Sequence, residues 1–311
     1  MVQHEGVDDD GDPDAILLDR IASRLGGGAA TATELPGGFV NVTHRLRTAD
    51  GRDVVVRFPR DRLRANEYPA EVWAIRAARA VGVPIAPPLE EGLEDGVPFL
   101  VSDYLHPAEQ GVERPWSWLG GYARALGDID VRGAPASLFS RFGRDLEAAW
   151  SSHVRYNRDA LTPDDLLLRD GAYSAHALPF LRRQLDDLSA RRFRFGLAHG
   201  DLAPRNLLSR GADQPPVLLD WGAATTGPTP WTDAQRVFEW AFCERTISRS
   251  AYEEFAAAAG VNGPTDERTL LSMVVLHLLD VTRWAHDRRP DLYDDYVARC
   301  RSGLDILEAL V

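Results

Sequence analysis

Cysteine is almost missing: Cys243 and Cys300 are the only two in 311 residues, and no Cys-x-x-Cys pair occurs. That excludes a disulfide framework and a cysteine-based zinc site, and makes a reducing cytoplasm the expected compartment. Long apolar runs are missing too. None approaches the ~20 residues that a membrane-spanning helix needs, and the opening stretch MVQHEGVDDDGDPDA is acidic, unlike a signal peptide. Basic charge is in deficit, 35 basic residues against 47 acidic for a net charge of -12. This excludes the basic footprint of non-specific nucleic-acid binding and permits a cationic small-molecule partner. No GxxxxGK sequence exists, which argues against a P-loop NTPase. Internal repeats and low-complexity segments are absent as well.

What is present is an ordinary globular composition, 44% apolar and 26% charged. The length suits two domains or one two-lobed unit. Residues 1–13 read as a flexible acidic tail. DAILLDRIASRL (14–25) has helical spacing and stops at a Gly-Gly-Gly run. ATELPGGFVNVTHRLRT and GRDVVVRF read as strands, with Gly37-Gly38 at one bend and Asp50-Gly51 at a hairpin turn. An amphipathic helix starts near Pro69, VPIAPPLEEG breaks it, and VPFLVSDYL (97–105) is a buried apolar strand. From Pro115 the pattern turns helical, over 115–130, 142–156, 178–191, 232–244, 249–260, 265–287 and 290–310, interrupted by short strands at FGLAHGD, NLLSR and PVLLDW. The expected fold class is α+β: a β-rich N-terminal lobe over 14–105 and a mostly helical C-terminal lobe over 106–311.

The segment LAHGDLAPRN (197–206) sets His199, Asp201 and Asn206 in the spacing H-x-D-x-x-x-x-N of a kinase catalytic loop. Fourteen residues beyond Asn206, Asp220 ends an apolar strand and opens DWG, where a kinase has D-F-G. Transfer of a γ-phosphoryl group needs Mg²⁺ and hard oxygen ligands, which Asp220 and Asn206 supply. It also needs a carboxylate facing the acceptor hydroxyl, and Asp201 is the candidate. His199 reads as structural, because a base there would duplicate Asp201.

A nucleotide has its seat in the N-terminal lobe. Gly37 and Gly38 lie at a bend whose backbone N–H groups can cover phosphates, with Asn41 where the next strand begins. VVVRF puts Arg57 where a kinase carries its β3 lysine, and Glu71 in the following helix is its best partner, with Glu67 the runner-up. SDYL (102–105) has the position of a hinge that binds adenine through backbone groups near Asp103 and Leu105.

With these residues assembled, the chain resembles the aminoglycoside phosphotransferase family, a branch of the protein-kinase-like fold. LAHGDLAPRNLL and VLLDWGAA carry the resemblance, with weaker support from GGFVN, VVVRFPRD and the Glu71-to-Pro84 run. It implies a two-lobed kinase-like fold, Asp201 as catalytic base, Asn206 and Asp220 as Mg²⁺ ligands, and ATP or GTP as donor. It also implies an acceptor pocket between the catalytic loop and the C-terminal helices. Those helices carry Glu239, Asp280, Asp287, Asp294 and Asp295, which would attract an amine-rich antibiotic such as an aminoglycoside. Trp150, His153 and Tyr156 are candidates to stack on a substrate ring. Arg57 in place of lysine and Ala203 in place of a second histidine depart from the family pattern. Two alternatives stay open: a kinase of a metabolite such as choline, homoserine or a sugar, and a non-catalytic ligand-binding relative. His277, Asp280 and His286 are poorly spaced for a metal.

Overall fold

The computed structural model describes residues 12–36, 40–212 and 214–311. It divides into two compact units, Met1–Arg76 with Ile85–Pro107, and Ala77–Pro84 with Ala108–Val311.

The first unit is built on an antiparallel five-stranded sheet of order β1-β2-β3-β5-β4. Its strands are β1 (Ala29–Glu34), β2 (Asn41–Thr48), β3 (Asp53–Pro59), β4 (Pro88–Glu94) and β5 (Val97–Asp103). Helix α1 (Pro13–Arg24) is capped by the Asp12 side chain, so Asp12 and Pro13 already belong to an ordered element. Residues 1–11 of the expected tail lie outside the described residues. The stripe Leu17, Leu18, Ile21 and Ala22 packs into a core with Val42, Leu46, Val54, Val56 and Phe58. Burying each of the leucine, isoleucine, valine and phenylalanine side chains contributes about 1.5–3 kcal/mol. Alternation sends the next residues to the opposite face, since directly paired residues share one side of a sheet. Arg57 pairs with Leu100 of β5, and Leu100 packs on Tyr68 and Val72 of α2 (Tyr68–Ala80). The strand period therefore aims Arg57 at α2.

Strand β4 was not expected, because Pro88 and three glutamates in PLEEGLE mask any strand signal. It forms at the sheet edge, where a proline costs no ladder bond. The strand expected over 97–105 ends at Asp103.

The second unit comprises α3 (Pro115–Leu126), α4 (Leu146–Ala160), α5 (Leu166–Arg169), α6 (Leu178–Ala190), β6 (Phe195–Ala198), β7 (Leu207–Leu208), β8 (Val217–Leu218), β9 (Thr225–Pro228), α7 (Trp231–Phe242), α8 (Arg249–Ala259), α9 (Pro264–Arg288) and α10 (Tyr293–Glu308). Helix α9 is buried on several faces, from Leu270 to Ala285, and packs against α6, α7 and α10. Gly120 lets α3 meet α8 backbone to backbone: a Cβ there would lie 2.2 Å from the Phe255 carbonyl oxygen. The expected helix at 142 begins only at Leu146, since Gly143 takes φ +121° and Asp145 caps the first turn. Among the described residues no helix is long and apolar enough to cross a membrane.

Candidate active site

Strand β6 pairs with β9 and delivers the polar loop that starts at His199. Gly200 follows in the left-handed region at φ +79°, and a Cβ there would sit 2.2 Å from the Ala223 carbonyl oxygen, so both conformation and space require glycine. The backbone N–H groups of His199 and Gly200 donate to Asp233, at 3.1 and 2.8 Å, from the first turn of α7. The buried His199 ring uses both nitrogens: Nε2–H donates to the Leu219 carbonyl at 3.0 Å, and Nδ1 accepts from the Asp201 backbone N–H at 3.3 Å. That pattern demands one neutral tautomer. His199 thus ties the loop of Asp201 to the strand end that precedes Asp220.

Burial pushes His199 down to about 4 and Asp233 up to about 6. The two act oppositely on stability. Unfolded, His199 binds protons that the folded state refuses, so its contribution is complete above pH 6.5 and lost as pH falls towards 4. Folded Asp233 instead takes up a proton below about pH 6, which offsets that loss. Asp233→Asn cannot titrate. Its urea-unfolding free energy is expected to fall more steeply than the parent's between pH 6.5 and 4.5, and parallel curves would refute the linkage.

The Asp201 carboxylate is gripped from both sides. Arg205 Nη2 donates to Oδ1 at 2.5 Å and to Oδ2 at 2.7 Å, and Asn206 Nδ2 donates to Oδ2 at 2.9 Å and to the Asp201 carbonyl at 2.8 Å. With its amide N–H groups turned to Asp201, Asn206 presents Oδ1 as an acceptor elsewhere. Strands β7 and β8 then close the distance in sequence: Leu207 pairs with Leu218, and the Leu219 N–H donates to the Asn206 carbonyl at 2.8 Å. Asp220 is the next residue, in the left-handed conformation at φ 60°, ψ 73°. Two hard oxygen donors, an amide and a carboxylate, so stand at one end of a two-strand ladder. That donor set fits Mg²⁺, which binds through one or two protein oxygens plus phosphates and water.

In the first unit Arg57 Nη1 meets Glu71 Oε1 at 2.5 Å, both largely buried, while Glu67 pairs with Arg64. All 35 basic residues of the chain are arginine, so no lysine competes for this role. Asn41 accepts from the Tyr68 hydroxyl at 3.4 Å. Asp103 closes β5, and Leu105 follows two residues later, half-buried. Gly37 and Gly38 lie outside the described residues.

The second unit holds a cavity of about 350 Å³ lined by Gly200 in the loop of Asp201, by Ala223 just beyond Asp220, and by α4, α7 and α9. Of the carboxylates expected at an acceptor pocket, only Asp280 lines it. Glu239 is buried against Arg236 and Arg299, at 2.8 and 2.5 Å. Asp287, Asp294 and Asp295 are exposed on helix faces. Trp150 and His153 line the cavity; Tyr156 does not, and it packs on Phe142 instead. His286 turns to Asp287 at 3.0 Å, and among the described residues no histidine, cysteine and carboxylate cluster could hold a metal. Sequence reasoning missed Asp233 altogether. An aspartate in the first turn of a helix reads as ordinary dipole compensation, and nothing local marks it as the anchor of a loop 33 residues away.

The family model described as the phosphotransferase enzyme family matches residues 31–270. Among solved structures, the chain is similar to the macrolide 2'-phosphotransferase MphH from Brachybacterium faecium, at 18% identity and TM-score 0.63, over 93% of this chain and 98% of that one. It is also similar to a thermostable mutant of the aminoglycoside phosphotransferase APH(4)-Ia in ternary complex with AMP-PNP and hygromycin B, at 17% identity and TM-score 0.62, over 93% and 97% of the two chains. These likenesses show a shared fold. No curated protein sequence matches the chain significantly.

Proposed function

The chain belongs to the phosphotransferase enzyme family, and on that premise we propose that it moves the γ-phosphoryl group of ATP or GTP to a hydroxyl of a small molecule, with antibiotics as the leading acceptor class. The observation that carries this reading is the hydrogen-bonded set of Asp201 and Asn206, with Asp220 brought beside them by the β7–β8 ladder.

Asp201 faces the acceptor hydroxyl, orients it and takes its proton as the oxygen attacks phosphorus. The bond from the γ-phosphorus to the bridging oxygen breaks, and the nucleoside diphosphate leaves with that electron pair. Arg205 and Asn206 hold the carboxylate in one orientation, so no reorganisation is needed during transfer. Asn206 Oδ1 and the Asp220 carboxylate would hold Mg²⁺, which supplies charge neutralisation for the phosphate oxygens. In the first unit the backbone near Asp103 and Leu105, just past β5, is our candidate for an adenine edge, and Arg57, fixed by Glu71, suits the phosphates. The AMP-PNP in a structure of the same fold supports a nucleotide donor. Because this chemistry needs little covalent work from the protein, positioning and charge account for the rate.

The test is a coupled assay of ADP or GDP release with Mg²⁺, against antibiotics and small metabolic alcohols. Turnover of one acceptor names the substrate class; nucleotide that neither binds nor turns over would overturn the reading. Arg57→Met is expected to raise the nucleotide KM about 10–100-fold, the worth of a charge-assisted contact of roughly 1.5–3 kcal/mol. An unchanged KM would remove Arg57 from the nucleotide site.

A further inference from the structure

The cavity's charge is already answered from within the chain. Asp280, its only acidic lining residue among those described, binds Arg141 Nη2 at 2.7 Å and Asn157 Nδ2 at 3.0 Å through Oδ1, and lies 3.3 Å from His153 Nε2 through Oδ2. Burial alone would raise Asp280, but His153, Asn157 and Arg141 outweigh it and hold the carboxyl well below the usual range. Its carboxylate is therefore ionised at neutral pH and met by three partners. Arg236, the other ionised lining residue, sits 2.8 Å from Glu239 and 2.9 Å from Glu244, and Arg299 meets the same two glutamates at 2.5 and 2.9 Å. Three arginines, Arg141, Arg236 and Arg299, thus face three carboxylates, Asp280, Glu239 and Glu244.

Arg141 is held in place by more than the ion pair. Its guanidinium lies 4.8 Å from the Phe142 ring centre and 5.1 Å from that of Tyr156, while the side chain stays 45% exposed. Arg141, Phe142 and Tyr156 do not line the cavity themselves, but this aromatic-braced cation answers the one carboxylate that does, the group a substrate ammonium would otherwise pair with. Leu146, Met273 and Leu276 give the wall an aliphatic part, beside neutral polar groups that include Thr225, Thr226 and Gln235.

We infer that Arg141 sets acceptor specificity: by answering Asp280 it closes the cavity to polycationic alcohols and leaves it fitted to an uncharged, partly apolar hydroxyl compound. The inference rests on the cavity being the acceptor site of the phosphotransferase proposed above. An alcohol with several ammonium groups would meet no unanswered carboxylate and would have to expel Arg141 from both its aromatic partners and its ion pair. A neutral hydroxyl compound has no such competitor and buries its apolar body on the aliphatic wall.

The test titrates the tetra-amine alcohol neamine calorimetrically into the full-length protein, into Arg141→Ala and Arg141→Gln, and into Arg141→Ala combined with Asp280→Asn. Arg141→Gln keeps a hydrogen-bond donor and so guards against a folding defect in the alanine variant. Neamine should bind both single variants at least tenfold more tightly than the parent, with a gain that shrinks at high salt and vanishes in the double variant. Equal binding by parent and single variants, or efficient phosphorylation of neamine by the parent, would overturn the proposal. Basal Mg²⁺-dependent ATP hydrolysis is measured in parallel on all four proteins. Its absence throughout would count against the phosphotransferase reading, whereas the neamine titrations report on Arg141 alone.

Discussion

Asp201→Asn is expected to lower kcat by about 10²–10⁴, the usual contribution of a positioned general base, while nucleotide affinity stays within about threefold. The asymmetry follows from the hydrogen bonds. An asparagine at 201 has nearly the same shape and still accepts from Asn206 Nδ2, so the loop held by His199, Gly200 and Asp233 stays in register. What disappears is the oxygen that takes the acceptor's proton, together with the charge that fixes Arg205. Steady-state turnover combined with a direct nucleotide-binding titration separates the two effects. A variant that keeps full kcat would remove Asp201 from the chemistry; one that loses nucleotide binding as severely as turnover would recast it as a structural residue.

The largest stability effect is expected from Asp165→Ala. Asp165 caps α5 and receives a two-pronged contact from Arg283, with Nη1 and Nη2 each donating at 2.7 Å, and the Tyr173 hydroxyl donates to the same carboxylate. Arg283 is 7% exposed and Asp165 2%. Removing the aspartate strands a guanidinium that cannot shed its proton, at a cost of about 3–5 kcal/mol. Arg283→Met is expected to cost less, because a stranded carboxyl can protonate. Burial alone would raise Asp165, but Arg283 and Tyr173 outweigh it and hold the group below its ordinary value. The stabilisation is therefore present above the ordinary carboxylate range and lost as pH falls through the lower folded value. Thermal unfolding of both variants and the parent at pH 7 and pH 3.5 checks the order and the sign: the gap between Asp165→Ala and the parent should narrow in acid. Equal costs for the two variants at pH 7 would contradict the argument.

Local sequence carried much of this protein. The stripe of α1, the alternation that aims Arg57 at α2, the hairpin at Gly51 and the order Asp201, Asn206, Asp220 all depend on neighbours a few residues apart, which is where periodicity and turn chemistry act. Elements whose stability comes from pairing alone escaped notice. β4 contains a proline and three glutamates, and β9, TTGP, is four residues with a glycine and a proline. Neither has a local preference for a strand; each exists because β5 or β6 offers it a free edge.

The site divides in the same way. Residue types and spacing were enough to nominate Asp201, Asn206, Asp220 and Arg57. The sequence also ranked Glu71 ahead of Glu67 as the partner of Arg57, and the packing of β3 on α2 joins that pair, while Glu67, just before α2, meets Arg64. Asp233 and Arg141 were decided by tertiary structure alone. Asp233 reaches a loop 33 residues away in sequence, and Arg141 meets Asp280 across 139 residues. Helical and strand periods describe which face a residue occupies, not which distant residue will face it. The candidate chemistry was therefore legible in a short polar segment, while the charge balance beside the cavity was settled only when Asp280 of α9 met Arg141.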